Sequence, residues 1–202
     1  MITVVDYGVG NLGSIANMLK RIGSGCIVSS DADTIAKAKK ILLPGVGAFD
    51  PGMERIKSLG LKEVLNDKAL KEKVPVLGIC LGMQIMANRS EEGMHQGLGW
   101  IDANVKRFSF DDRPDLKVPH MGWNDVKPSS GNPLIREAEQ RFYFVHAYHP
   151  IVANRNQVIG TTIYGYEFDS VITNGDNIFG AQFHPEKSHR FGMRFFENFM
   201  KL

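Results

Sequence analysis

The chain has 202 residues, 43% hydrophobic and 23% charged, and its formal net charge of +2 is too small to argue for a nucleic-acid or membrane partner. Such a length and composition suit an ordinary globular chain, expected to form one domain over residues 1–202. No apolar segment approaches the ~20 residues needed to span a bilayer. The opening Ile2-Thr3-Val4-Val5 lacks the regions of a secretory leader. Two cysteines, Cys26 and Cys80, make no disulfide framework, so a reducing cytoplasm is the expected setting.

Ile2–Asp6 is the first predicted strand. It runs into Tyr7-Gly8-Val9-Gly10-Asn11-Leu12-Gly13-Ser14, after which Ile15, Met18, Leu19 and Ile22 fall at helical spacing, with Gly23 as a stop. This is G-x-G-x-x-G between a strand and a helix, with Asp33 near the distance of a ribose-binding acid, the pattern of a dinucleotide site. The same glycines equally serve a tight βα turn or a partner surface. Cys26–Ser29 reads as a second strand, with Cys26 in the core. Lys40–Leu43 is a third, ending in Pro44-Gly45-Val46-Gly47-Ala48-Phe49, a glycine-rich loop whose backbone N–H groups can face an anion. Met53–Leu59 and Leu61–Leu70 read as helices.

Val74-Pro75-Val76-Leu77-Gly78-Ile79 is a short apolar run bounded by Pro and Gly, as in a buried parallel strand. It feeds Cys80 and then a helix from Leu81 to about Asn88. The G-x-C-x-G frame has the form of a nucleophile elbow. A sulfur at a helix N-terminus also meets N–H groups and a dipole that favour a thiolate. A small buried hydrophobe is the plain alternative for Cys80. The β-α-β-α-β-α-β-α order predicts an α/β fold, an open and mostly parallel sheet with helices on both faces. Ligands of such sheets bind outside the carboxyl ends of the strands, where both the Gly45–Gly47 loop and Cys80 fall.

Beyond Glu92 the chain turns rich in Val, Ile, Phe, Tyr and Trp, punctuated by Pro, Asn and Gly. Candidate strands at Ala103–Phe108, Val118–Pro119, Arg141–Ala147, Gln157–Tyr164 and Val171–Thr173 suggest an antiparallel or mixed β extension of the sheet. Ile178–Phe183 is a further strand leading into His184-Pro185-Glu186-Lys187-Ser188. A closing amphipathic helix carries Phe191, Phe195 and Phe199 on one face as core.

A cysteine that attacks a carbonyl needs a base, an orienter for the base, and donors for the oxyanion. Among His95, His120, His146, His149, His184 and His189, His184 stands at a strand's end before a proline, which presses it towards extended geometry. Residues two apart in an extended segment share a side, so Glu186 falls where it can hold the far ring nitrogen. This aligns Cys80, His184 and Glu186 as nucleophile, base and orienter, with a surface His-Pro-Glu turn as the plain alternative. The histidines lack metal-ligand spacing, and no metal site is expected.

P-G-V-G, G-I-C-L-G-M-Q and F-H-P-E-K-S, in that order and spacing, resemble the class I glutamine amidotransferases. D-Y-G-V-G-N-L-G-S at the start, M-G-W-N at Met121–Asn124 and F-Y-F-V-H-A-Y at Phe142–Tyr148 narrow the resemblance to the family of glutaminase subunits of imidazole glycerol phosphate synthase. It covers nearly the whole chain and implies that family's flavodoxin-like fold. It implies that Cys80 attacks the side-chain amide of glutamine, forming a γ-glutamyl thioester and releasing ammonia. His184 would deprotonate the thiol, protonate the leaving ammonia and later activate water. The oxyanion donors would be the backbone N–H of Leu81 and one from Val46-Gly47. Gln84 and Glu92 match positions holding the amino-acid end of the substrate, assisted by the Ala147-Tyr148 backbone.

Asn11, Met121, Trp123, Tyr143 and Lys187 match the face that such subunits turn towards a (β/α)₈-barrel cyclase. That cyclase receives the ammonia to make imidazole glycerol phosphate and AICAR in histidine biosynthesis. For Met121 and Trp123 the plain alternative is burial in the core. No cofactor is implied. Ala147 departs from the family, in which many members carry a hydroxyl residue, and His149 has no implied role. A paralogous glutaminase feeding a different synthase, such as one amidating a sugar for surface polysaccharide, fits the same residues. A non-catalytic scaffold of the same fold is opposed by the intact Cys80, His184 and Glu186.

Overall fold

The apolar runs of the first half form strands β1 (Ile2–Val5), β2 (Cys26–Ser29), β3 (Ile41–Leu43) and β4 (Val76–Ile79) in a computed structural model that describes residues 1–111, 113–137 and 140–202. They pair in parallel in the order β2-β1-β3-β4. Every residue of β1, β3 and β4 is buried, because both faces of this part of the sheet are covered.

The covering helices are α1 (Leu12–Arg21), α2 (Ala32–Ala36), α3 (Phe49–Ser58), α4 (Leu61–Asn66) and α6 (His189–Met200). Strand side chains alternate between two cores. Val5, Ile41, Leu43 and Val76 pack with Ile35, Met53, Ile56, Leu61 and Leu65 of α2, α3 and α4. Val4, Leu42 and Leu77 pack with Ile15, Met18 and Leu19 of α1 and with Phe195, Phe196 and Phe199 of α6. The predicted aromatic stripe is therefore core, with Phe191 half-buried at its margin. Cys26, expected in the core, lies half-buried on the edge strand β2.

Several boundaries moved for identifiable reasons. Helix α2 was not predicted; the Asp31 carboxylate accepts the Thr34 N–H at 2.8 Å and caps it. Helix α3 starts at Phe49 rather than Met53 because a carboxylate from elsewhere, Glu92, accepts the Phe49 N–H at 2.9 Å. After Asn66 the backbone widens into a π turn over Asp67–Lys71 instead of continuing as α-helix to Leu70.

Strand β12 (Ile178–Ala181) adds to β4 in parallel. The sheet then continues antiparallel through β11 (Tyr166–Thr173), β10 (Val158–Tyr164), β7 (His120–Pro128) and β8 (Gln140–His146), nine strands in all. A smaller sheet joins β5 (Arg89–Ser90), β6 (Ala103–Arg107) and β9 (Tyr148–Val152). The strand expected at Val118–Pro119 starts instead at His120 and carries M-G-W-N. Its inward His120 and Val126 alternate with outward Met121, Trp123 and Asp125, so few of its residues are apolar. Strand β9 went unseen because it contains Pro150, which is tolerated on a sheet edge. Strand β8 does not end the sheet in open solvent. Tyr143 bridges back to His184, just beyond β12. Among the described residues no helix is long and apolar enough to cross a membrane.

Candidate active site

Where β4 ends, Cys80 takes φ 51° and ψ −108°, a conformation non-glycine residues rarely occupy. Its N–H donates to the Ala181 carbonyl at 2.8 Å, which ties the strained residue to β12. The flanking glycines are a matter of space: a Cβ on Gly78 would lie 2.6 Å from the Gly82 carbonyl oxygen, and one on Gly82 would run into the Leu43 carbonyl. The helix that follows, α5, covers only Leu81–Gln84 and does not reach Asn88. The carbonyls of Ile85, Met86 and Asn88 are taken by the N–H groups of Leu98, Trp100 and Gly97 at 2.7, 2.8 and 2.9 Å. One helical turn carries little dipole, so the charge that matters at Cys80 is that of the imidazole beside it.

His184 is 1% exposed, and its N–H donates to the Tyr143 carbonyl at 2.8 Å. Its Nδ1–H donates to Glu186 Oε1 at 2.8 Å, with both side chains buried. The pairing was expected from an extended backbone, but Pro185–Lys187 forms a 3-10 turn that folds Glu186 back onto the ring. Burial pulls the His184 pKa down; the hydrogen bonding and charge of Cys80 and Glu186 outweigh it and push it up to about 10. Because Nδ1 is engaged, Nε2 is the nitrogen left to Cys80. It is buried and makes no hydrogen bond of ordinary geometry.

The P-G-V-G loop lies against the first turn of α5: a Cβ on Gly45 would stand 2.5 Å from the Gly82 nitrogen and 2.6 Å from Leu81 Cβ. The Pro44 carbonyl accepts from the buried Tyr7 hydroxyl, while Val46 is 46% exposed. The P-G-V-G loop thus reaches the elbow through Gly45, and the G-x-G-x-x-G loop braces it, since Gly10 lies against Pro44 and Gly45. Asp33, read as a possible ribose ligand, is exposed in the first turn of α2.

Gln84 and Tyr148 are brought together, but as partners of each other. Gln84 Nε2 donates to the Tyr148 carbonyl at 3.0 Å and to Gln182 Oε1 at 3.1 Å. The Ala147 carbonyl accepts the Phe108 N–H at 3.0 Å. Half-buried Glu92 caps α3, and burial pushes its carboxyl above the usual carboxylate range against the pull of the Phe49 N–H. Asp50 returns the clasp, accepting the Met94 and His95 N–H groups at 2.8 and 3.0 Å.

On the outer surface Met121 is 62% and Trp123 40% exposed, so neither is core. Trp123 stacks on His189 with 5.6 Å between centroids, and Lys187 Nζ lies 5.5 Å from the centre of the Tyr143 ring. Asn11 caps α1, accepting the Ser14 N–H at 3.3 Å. Two buried residues had no assigned role. Ser188 Oγ donates to the His184 carbonyl at 2.6 Å and accepts the Tyr143 N–H at 3.0 Å. Gln182 Nε2 lies 3.6 Å from Cys80 Sγ; its place two residues before His184 was the available signal. Among the described residues no group of three or more His, Cys, Asp or Glu side chains is placed to hold a metal ion.

The family described as glutamine amidotransferase class-I matches residues 3–202. An imidazole glycerol phosphate synthase subunit HisH 2 of Methanococcus maripaludis is 50% identical over 100% of this chain and 99% of its own length. Its namesake from Pseudomonas aeruginosa is 47% identical over 100% of both chains. A crystal structure of a glutamine amidotransferase superposes with a TM-score of 0.75 at 18% identity, covering 100% of this chain and 98% of that one, a likeness of fold. The elbow cysteine, the buried histidine–glutamate pair and a match over nearly the whole length agree: the chain belongs to the class-I glutamine amidotransferases.

Proposed function

We propose that the chain is the glutaminase subunit of an imidazole glycerol phosphate synthase, a single cytoplasmic domain that hydrolyses glutamine and passes the ammonia to a (β/α)₈-barrel cyclase subunit in histidine biosynthesis. The observation that carries the chemistry is the buried His184–Glu186 pair next to a cysteine held at φ 51° at the carboxyl end of a parallel strand. The relatives' names supply the pathway.

Cys80 Sγ attacks the carboxamide carbon, and the carbonyl oxygen becomes an oxyanion facing the Leu81 N–H and the Val46-Gly47 peptide. His184, which takes the thiol proton on Nε2 as the sulfur attacks, gives it to the amide nitrogen; the C–N bond breaks and ammonia leaves a thioester. The now neutral imidazole takes a proton from water as it attacks, and collapse of the second intermediate expels the sulfur and releases glutamate. Glu186 keeps the ring's tautomer and orientation through both steps. Glu92, Gln84 and the Ala147-Tyr148 backbone border the pocket for the amino-acid end. Asn11, Met121, Trp123, Tyr143 and Lys187 form the face towards the cyclase.

Cys80→Ala is expected to abolish glutamine-dependent synthesis by the complex while leaving synthesis from added ammonium salt, since the thiol serves only to liberate ammonia. Cys80→Ser is expected to be nearly as poor, because an alkoxide forms far less readily than a thiolate. Glutamine hydrolysis at the native rate by Cys80→Ala would defeat the mechanism.

A further inference from the structure

The sulfur of Cys80 has a second polar neighbour besides His184. Gln182 is fully buried, directly after β12, with its own N–H on the Ser170 carbonyl at 2.9 Å and its side-chain Nε2 3.6 Å from Sγ. An amide can be turned end for end, so which end meets the sulfur is decided by the network around it. The Tyr148 carbonyl settles it, because a carbonyl only accepts. Gln84 must turn its NH₂ towards that oxygen at 3.0 Å, and the second N–H of the same group then reaches Gln182 Oε1 at 3.1 Å. Gln182 is left with its own NH₂ on the sulfur.

The same carbonyl also accepts from His146 Nδ1 at 2.7 Å. His146 Nε2 therefore accepts from His120 Nδ1–H at 3.1 Å, and His120 Nε2 accepts from Asn124 Nδ2 at 3.2 Å. Burial keeps both rings neutral, which this one-way chain of donors requires; His120 is pulled down to about 4 and His146 well below its ordinary value. Reversing either glutamine would set donor against donor or acceptor against acceptor in a site without room for repair.

We propose that Gln182 is a positioning residue for the reaction: its N–H holds the Cys80 sulfur as an acceptor, and Gln84 fixes the amide in that sense. The inference rests on Cys80 being the nucleophile. A charged sulfur accepts an N–H more strongly than a neutral one, so the contact favours the attacking form and relaxes once the thioester has formed. Gln84 then acts on the sulfur before any glutamine binds.

The test is the rate at which iodoacetamide alkylates Cys80 in the full chain without glutamine, read by peptide mass, with kcat and KM measured in complex with the cyclase subunit. Gln182→Glu replaces the donor by a carboxylate and is expected to slow labelling by about tenfold or more, and Gln182→Met and Gln84→Met by roughly severalfold. Each should lower kcat in the same order, with KM within about twofold for the Gln182 variants. If the buried carboxylate prevents folding, the uncharged Gln182→Met still decides. Labelling at the wild-type rate in folded Gln182→Met overturns the inference. So does a raised KM with unchanged kcat, which would place Gln182 on the substrate, or a wild-type Cys80 that resists labelling. Failure of the glutaminase reading is seen elsewhere, in a Cys80→Ala chain that still hydrolyses glutamine.

Discussion

The His184 pKa, raised to about 10 by hydrogen bonding and charge from Cys80 and Glu186, favours the imidazolium that forms when the ring takes the thiol proton. His184, read from its place before a proline as the base for the thiol, is proposed to take that proton, become the imidazolium and later act as an acid. Glu186 sustains that state through its 2.8 Å bond to Nδ1. Glu186→Gln is therefore expected to keep the fold and glutamine binding but to lower kcat by roughly 10²-fold, against about 10⁴-fold for His184→Ala, the range spanned by general acid–base groups. Turnover of both variants in the complex checks this. A folded Glu186→Gln slower than His184→Ala would reverse the roles. Cys80, His184 and Glu186 were legible because each sits in a local frame of glycine or proline that sequence displays. Glu92 as the cap of α3 was not, because its partner Phe49 lies 43 residues away and nothing near either residue announces the other. Ser188 hid for the same reason, since its role is to join the His184 turn to β8.

Strands β7 and β8 show how a buried polar layer both conceals an element and sets its stability. His120 stacks on Tyr164 at 4.1 Å between centroids and on Phe144 at 4.8 Å, while its nitrogens serve Asn124 and His146. A strand whose inward residues include His and Asn lacks the apolar alternation by which strands are recognised, so the strand read at Val118–Pro119 stops short of β7 itself. The β10 and β11 pair, with Val, Ile and Phe inside, was more nearly visible, although β11 starts at Tyr166 rather than Val171. His120, His146 and His149 all have pKa values lowered by burial, His120 to about 4. A lowered folded pKa means the unfolded chain binds protons first. The stability these residues confer is complete above about pH 6.5 and is lost as pH falls towards 4. His184, raised to about 10, works oppositely, its contribution present below about pH 6.5 and lost as pH rises through 10. Denaturant midpoints are thus expected to fall steadily from pH 6.5 to 4. His120→Phe, which keeps the stacking, should flatten that fall while costing about 1–3 kcal/mol at pH 7.5 from the partners left unpaired. An unchanged slope in His120→Phe would remove the histidine layer as its cause.

The β extension curls round until its last strand meets the catalytic end of the parallel sheet, and this puts outer surface and chemistry in direct contact. Tyr143 has its carbonyl on the His184 N–H at 2.8 Å, its N–H on Ser188 Oγ at 3.0 Å, and its ring beneath the Lys187 ammonium at 5.5 Å. Trp123 and Met121 stand exposed on the neighbouring strand, and Val46 is exposed on the P-G-V-G loop. The cyclase proposed to seat on this face would act on the His184 turn through Tyr143 and Lys187, and the gate proposed for it is the Val46-Gly47 loop. Gly47 has φ 126°, a region closed to residues with a side chain, so the Val46-Gly47 peptide can present either its C=O or its N–H to the substrate oxygen. Only the second completes the oxyanion hole, and one missing donor slows such reactions roughly 10²–10³-fold. Ammonia released with no acceptor in place is wasted, which gives a separate glutaminase subunit reason to rest with the C=O inward. Hydrolysis is therefore expected to be slowest for the chain alone, faster with the cyclase, and fastest with cyclase and acceptor or an acceptor analogue. Stimulation should approach the roughly 10²–10³-fold worth of one donor. Lys187→Ala should blunt that stimulation while leaving the basal rate of the isolated chain near its native value, because the lysine touches Tyr143 rather than the substrate. Equal rates in the three conditions would remove the gate and leave the chemistry of Cys80 as it stands.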